Sequence, residues 1–518
     1  MKNTLRTPQA AVLGLALAGL LPTLSGATAL ERPIPKQLAG PPAEFSLMVP
    51  AAPAVVSSDS AMVPVTLTPG PDGTLQWHGE FIADGSEGFR MLMLSGGESW
   101  DVQLEEPVTG RILALSDLRP EVVASTIGAY TGDLATFHQG IEAGTWGLKV
   151  SMPATGDAEV HRGFVVVGGD SPYLLESRLT TRDLRLGEEI GFLAAAGLAA
   201  DPAGEGITGT SASLSTTEGA PALTRGTLLL TKPSGVQVEL PLAAAGDGLF
   251  GASFRADEIG NYTAQVTAVG ETPEGQPFLR STQHTFPVLP SGLAVADSAA
   301  VATSQGRWAV RLSLSSEQGL AERYHAYGEV WGRSAGGEAV PVAWIGGITE
   351  VKDGGIDLGL DTRWIQRAKA GAPFELRNLR IQDVDTFVPL FETARLDLPS
   401  PGLSVMTQRL GSREITSEMR LGPRPAELSN LTAPAGTGSR LLLVHGYCSG
   451  DVWGPVAGQF TNASRFQDLN ANRSHDAFAQ RIWTFGNTWF SYGIVAHSQG
   501  GAASLHLYTY YWSGLDNA

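Results

Sequence analysis

Between residues 61 and 400 the chain is cut into short apolar runs by Gly, Pro, Asp and Ser, and few of these runs last long enough to make a helix. Runs such as "FRMLML", "WDVQLEEP", "WGLKVSMP" and "RGFVVVGG" have the length and punctuation of strands. The 63 glycines and 32 prolines supply the turns between them. With 43% hydrophobic and 17% charged residues, the composition is that of a globular, strand-rich protein and not of a disordered one. A length of 518 residues exceeds what one hydrophobic core supports, so several domains of about 100 to 150 residues are expected.

The breaks in pattern divide the chain. Residues 30–60 are rich in Pro and Ala and read as a linker, and residues 61–170 as a β-rich domain. Residues 171–290 carry "TLLLTKPSGVQVELPL", two strands around a Pro-Ser-Gly turn, and "GNYTAQVTAVG". Tyr262, just before that last alternating strand, resembles the tyrosine corner of immunoglobulin-like sandwiches. Residues 291–400 form a third β-sandwich domain, in which Trp308, Val310, Leu312 and Leu314 share one face, as do Ile356, Leu358 and Leu360. "TRWIQRAKA" is expected as one short helix, and residues 401–437 as a second linker.

The first 29 residues read as a secretory signal peptide: Lys2 and Arg6, an apolar stretch from Ala10 to Leu21, and Ala27-Thr28-Ala29 before a cleavage expected after Ala29. The protein is therefore expected to be secreted or periplasmic. No later segment is long and apolar enough to span a bilayer. Losing Lys2 and Arg6 with no acidic residue takes the net charge from -17 to -19, which repels phosphate backbones and argues against a nucleic-acid partner. Cys448 is the only cysteine, so no disulfide forms within the chain and no lipid-bearing cysteine follows the signal.

After residue 437 the character changes. "RLLLV" is a continuous apolar run of the kind found in covered parallel strands. His445-Gly446 comes directly after it. Asp451 to Phe460 is expected as a short helix, "RFQDL" as a strand, and Ser474 as the cap of a helix carrying Phe478, Ile482, Phe485 and Trp489. "YGIVA" returns to the sheet and leads into Ala496-His497-Ser498-Gln499-Gly500-Gly501. The combination "HGYCSG…AHSQGG" resembles the oxyanion loop and nucleophile elbow of the α/β-hydrolase superfamily, of lipase or esterase type. More loosely it is similar to secreted bacterial proteins called conditioned medium factor.

The hydrolase resemblance implies that Ser498 is a nucleophile, with the backbone N–H groups of Tyr447 and Gln499 as oxyanion donors, His445 structural, and an ester or lipid as substrate. On this reading Leu505, Tyr508 and Trp512 form the inward face of the last helix. The fold class expected is therefore multi-domain: all-β immunoglobulin-like sandwiches followed by an incomplete α/β-hydrolase domain over residues 438–518.

In that fold the acid and the histidine follow the serine, and here only His506 and Asp516 do. His506 lies eight residues along the same helix, about 12 Å of rise away, too far to serve. Asp516 is too close to the last helix, while His475 and His497 come too early in the order. The acid and base are thus not present in the chain, which is expected to be a truncated product of a longer gene and inactive as it stands. The alternative is an extracellular binding or signalling protein whose sandwiches take a cell-surface or polymer ligand. No cofactor and no metal is expected: Asp353, Asp357, Asp383 and Asp385 read as acidic loop residues and not as a calcium site. Asn-x-Ser/Thr triplets at Asn261, Asn430, Asn462 and Asn472 would matter only in a eukaryotic secretory pathway.

Overall fold

Alternation along a strand puts every second side chain on one face, and the strand Gly144–Pro153 shows the rule at work: Trp146, Leu148, Val150 and Met152 are all buried. The computed structural model describes residues 33–44, 53–70, 73–86, 88–95, 98–127, 130–137, 141–154, 161–199, 214, 218–303, 307–399, 414–429, 436–446, 450–468 and 473–517. The signal segment lies outside them. Strand makes up 55% of the structure and helix 13%.

Three antiparallel sandwiches succeed one another. The first packs a five-stranded sheet containing Ser60–Thr66, Phe89–Leu94 and Arg162–Gly168 against another containing Thr74–Ala83, Asp101–Glu105 and Gly144–Pro153. Its core includes Phe81, Phe89, Met91 and Trp146. In the second, strands Tyr173–Leu179, Glu189–Leu198 and Leu249–Arg255 face Ala222–Thr231, Gly260–Glu271 and Pro277–Val288. The third sets Arg323–Arg333, Ala339–Glu350, Gly371–Gln382 and Pro389–Leu398 against a three-stranded sheet of Ala294–Ala302, Trp308–Ser315 and Gly355–Leu360.

Tyr262 is fully buried, and its hydroxyl accepts a hydrogen bond from the Glu258 backbone N–H at 2.9 Å, the tyrosine corner that its position implied. The third sandwich has a corner of the same kind. The Tyr324 hydroxyl accepts from the Ala321 N–H at 2.9 Å. The short helix Thr362–Ala368 starts at Asp361, whose carboxylate accepts from the Arg363 N–H at 2.9 Å.

Two expectations about the frame need correction. Residues 30–60 are not simply a linker: Leu38–Gly40 pairs with Ala339–Glu350 in the third sandwich, and Val56–Ser58 pairs with Tyr173–Leu179 in the second. Proline and alanine suit edge strands as well as linkers, so composition does not separate the two. The second correction is larger. Among the described residues there is no α/β-hydrolase domain, and the fold is nearly all β sandwich.

Beyond residue 437 the chain forms a three-stranded parallel sheet with Ser439–Val444 in the centre, Ala463–Phe466 on one side and Ser491–Ala496 on the other, plus helices His475–Gly486 and Gln499–Tyr510. The segment expected as a helix from Asp451 consists of turns and one 3-10 turn, Ala457–Gln459. The apolar run "RLLLV" suggests a large doubly wound sheet. Its burial is satisfied instead by the third sandwich, because Ile348 and Val384 join Leu442, Val444, Phe478, Ile482 and Tyr511 in one core. Tyr511–Trp512 then pairs antiparallel with Ile34–Pro35, stitching the end of the chain to its beginning. Among the described residues no helix is long and apolar enough to cross a membrane.

Candidate functional site

Two strands of the C-terminal unit end side by side, and this brings the His445-Gly446 and His497-Ser498 segments together. A Cβ built on Gly446 would stand 2.7 Å from the Ser498 Cβ, so only glycine permits this approach. Ser498 sits between strand and helix with φ 52° and ψ -128°, a conformation a non-glycine residue adopts only at the expense of strain. Its side chain is exposed. Gln499 begins the helix, while Tyr447 and Cys448 lie outside the described residues.

Gly500 meets the need for a tiny residue two places after Ser498, since a Cβ there would lie 2.5 Å from the His445 carbonyl oxygen. The expected inward face of this helix is wrong by one register. Leu505 is 66% exposed and Tyr508 51% exposed, whereas Ala503, His506 and Leu507 are buried. Trp512 is buried, beyond the end of the helix. Ala503 and Leu507, four apart and so on one face of the helix, join Leu442 and Val444 of the sheet in one core.

His445 is structural. Its ring is buried between Phe466, stacked at 5.8 Å, and Phe478. The Asp468 N–H donates to Nε2 at 2.8 Å, so the proton lies on Nδ1 and is donated to the Gly446 carbonyl at 2.6 Å. Burial lowers the pKa of this imidazole from its ordinary value.

His506 faces away from the elbow into a buried polar cluster. Its Nε2 lies 3.0 Å from Asp476 Oδ1, and Asp476 also accepts from the Tyr511 hydroxyl and, at 2.6 Å, from Gln480. Burial raises the Asp476 carboxyl, but the hydrogen bonds from His506 and Tyr511 and the charge of Arg323 outweigh it and leave it below the ordinary carboxylate value. Arg323 donates to the Tyr511 hydroxyl at 2.7 Å. On the same strand His325 bonds the Tyr327 hydroxyl, which lies 2.9 Å from the Tyr510 hydroxyl.

This cluster is the seam between the third sandwich and the C-terminal unit. The sequence reading missed it, although Arg323, His325 and Tyr327, all buried, place polar groups at period two on the strand Arg323–Arg333 and so carried a signal of it. Asp516, excluded as a catalytic acid, lies 2.6 Å from the buried Lys36 amine. Three of the four acidic loop residues are likewise engaged. Asp383 accepts from the Thr386 N–H at 2.8 Å, Asp385 from the Ser474 hydroxyl at 2.7 Å, and Asp357 pairs with Arg311 at 3.1 Å.

Fold and site together define a tandem immunoglobulin-like protein closed by a small parallel unit that is sealed onto its last sandwich. Residues 60–167, 173–288 and 325–423 match, in order, the first, second and third Ig-like domains of conditioned medium factor, and residues 436–518 match the conditioned medium factor C-terminal domain. The chain belongs to the conditioned medium factor family.

It is 33% identical over 314 residues to "Conditioned medium factor" of Dictyostelium discoideum, an alignment covering 56% of this chain and 44% of that one. The chain thus spans less than half the length of that curated relative. Among solved structures, a DUF4785 family protein of Legionella pneumophila is similar at 12% identity and a TM-score of 0.42, over 71% of this chain and 93% of that one. The Bacillus licheniformis lipase BlEst2 in its propeptide form is similar at 12% identity and a TM-score of 0.23, over 52% and 47%. At that distance neither likeness speaks to chemistry.

Proposed function

We propose that the protein is an extracellular binding or signalling protein that works through its immunoglobulin-like sandwiches. The observation that carries this reading is the continuity of the array. Buried polar contacts join the first sandwich to the second, Arg185 of the second bonds the Leu390 carbonyl of the third at 3.2 Å, and the C-terminal unit shares a core with the third. A set of sandwiches held at fixed spacing presents loops and clefts to a partner. The name of the Dictyostelium relative, a factor of conditioned medium, supports an extracellular site of action, as does the expected signal cleaved after Ala29.

The backbone strain at Ser498 favours a second reading, in which the Ser498 oxygen takes the acyl group of an ester, its proton passes to the departing alcohol, and the Gln499 N–H receives the developing oxyanion, with the expected second donor, Tyr447, outside the described residues. One pair of proteins tests both: the fluorescently labelled chain and its Ser498→Ala variant, applied to cells of the source organism and then to a fluorophosphonate probe. The binding reading expects saturable, competable cell-surface binding, equal for the two proteins. Absence of such binding, or its loss on Ser498→Ala, would overturn it. The second reading requires phosphonylation of the native chain alone, and a native chain left unlabelled ends it.

A further inference from the structure

A cleft of about 1270 Å³ runs between the second and third sandwiches, larger than the roughly 300 to 1,000 Å³ that suits a drug-sized molecule. It is lined by the segment 179–185, by residues of the strands Gly371–Gln382 and Pro389–Leu398 and their connecting turn, and by Tyr510. Tyr327, Phe387 and Tyr510 give it aromatic surface.

Three arginines line it. Arg185 is held by Asp183 and the Leu390 carbonyl, and Arg380 by Glu392. Arg182 is different: its carbonyl accepts from the Leu184 N–H at 2.9 Å, but among the described residues its guanidinium has no hydrogen-bond or ion-pair partner, although the residue is half-buried. Burial, and then the like charge of Arg380, act against its charge, while Glu392 gives partial relief. A guanidinium does not escape by losing its proton. In a chain of net charge -17, an arginine side chain without a hydrogen-bonded or ion-paired carboxylate stands out, and the charge of Glu392 offsets its cost only in part.

We infer that this cleft binds a peptide segment bearing a carboxylate, gripped by the fork of Arg182 and flanked by apolar side chains on the aromatic lining. A guanidinium fork matches a carboxylate in two parallel hydrogen bonds. A single spare cation suits one carboxylate and not a polyanion, which the net charge of -17 on the chain would repel. The volume exceeds that of a small metabolite and accommodates several residues. The inference rests on the binding reading of the sandwiches and gives that reading a site.

The test uses an array of acetylated, amidated pentapeptides with a central Asp, flanking positions drawn from Leu, Phe, Tyr and Val, and a matching array with Asn at the centre. The labelled full chain is expected to be captured by Asp members at about tenfold lower concentration than by their Asn counterparts, and Arg182→Gln to erase the difference. Arg182→Gln should also leave the melting temperature unchanged or raise it, because removing a repelled charge costs the fold nothing. Equal capture by both arrays, no capture at about 1 mM, or a lowered melting temperature in Arg182→Gln overturns the inference. If the native chain still binds cells in any of those cases, the cleft alone is refuted. If cell-surface binding is absent as well, the broader reading falls with it.

Discussion

Gly500 and Gly501 are neighbours in one helix with opposite requirements, and a single methyl group separates them. At Gly500 an added Cβ would press to 2.5 Å on the His445 oxygen and 3.1 Å on the Val444 oxygen, both backbone atoms that cannot swing aside. At Gly501 the same atom meets nothing within 4 Å. Gly500→Ala should therefore destabilise by about 1 to 3 kcal/mol, the usual cost of overpacking. Gly501→Ala should stabilise by up to about 1 kcal/mol through helix propensity. Urea unfolding of the two variants checks this, and equal effects would mean that the helix does not sit on the end of the Ser439–Val444 strand. The same contact keeps the His445-Gly446 segment against Ser498, so Gly500→Ala should disturb that pairing while Gly501→Ala leaves it intact.

At the scale of elements the seam between the Arg323–Arg333 strand and the last two helices decides how the C-terminal unit is held. Burial pushes the His325 imidazole down to about 3, the charge of His506 acts in the same direction, and Asp476 opposes them. The folded-state pKa lies below the ordinary 6.5, so the unfolded chain takes up the proton first as pH falls. Stability from the neutral ring is complete above about pH 6.5 and is lost progressively below it, at about 1.4 kcal/mol per pH unit while the folded ring stays neutral. His284, pushed down to about 4 by burial, adds a similar slope from the second sandwich. Denaturant unfolding at pH 7, 6 and 5 should therefore show a decline that His325→Gln makes shallower, and an unchanged slope in that variant would place the titration elsewhere.

Much at this scale was legible in the sequence. Period-two runs and turn residues mark the strands, Tyr262 its corner, and Ser474 its cap, with the serine hydroxyl accepting from the Ala477 N–H at 3.2 Å. The parallel strands and the tight turn at Ser498 could also be anticipated. The partner of the C-terminal unit could not. Ile348 and Val384 lie 94 and 58 residues before Leu442 in sequence and look like ordinary strand and turn residues, so nothing local says that they complete the core around it. For the same reason the C-terminal motif suggested a hydrolase domain where the packing makes an appendage of the third sandwich.

Whether the whole molecule acts as one rigid array depends on a few buried contacts at its junctions. Arg280 of the second sandwich meets Asp84 of the first at 2.6 Å with both side chains nearly buried, the Gln265 amide donates to the Met62 carbonyl at 2.5 Å, and the Met62 N–H donates to the Ser281 hydroxyl at 2.6 Å. Burial raises the Asp84 carboxyl, but the bonds from Ser86 and Arg280 hold it below its ordinary value, so the aspartate is a charged partner at neutral pH. Arg280→Met strands that charge, a loss of about 3 to 5 kcal/mol at a buried pair. The first sandwich keeps its own core of Phe81, Phe89 and Trp146, so the energy should be lost from the junction and not from the domain. The expected outcome is a larger radius of gyration in X-ray scattering and a separate first-sandwich transition in calorimetry. Asp84→Asn added to Arg280→Met removes the stranded charge and should recover most of the docking. A single cooperative transition and an unchanged radius in Arg280→Met would show that the sandwiches are held by their apolar contacts alone, and that the fixed spacing argued for recognition does not depend on this pair.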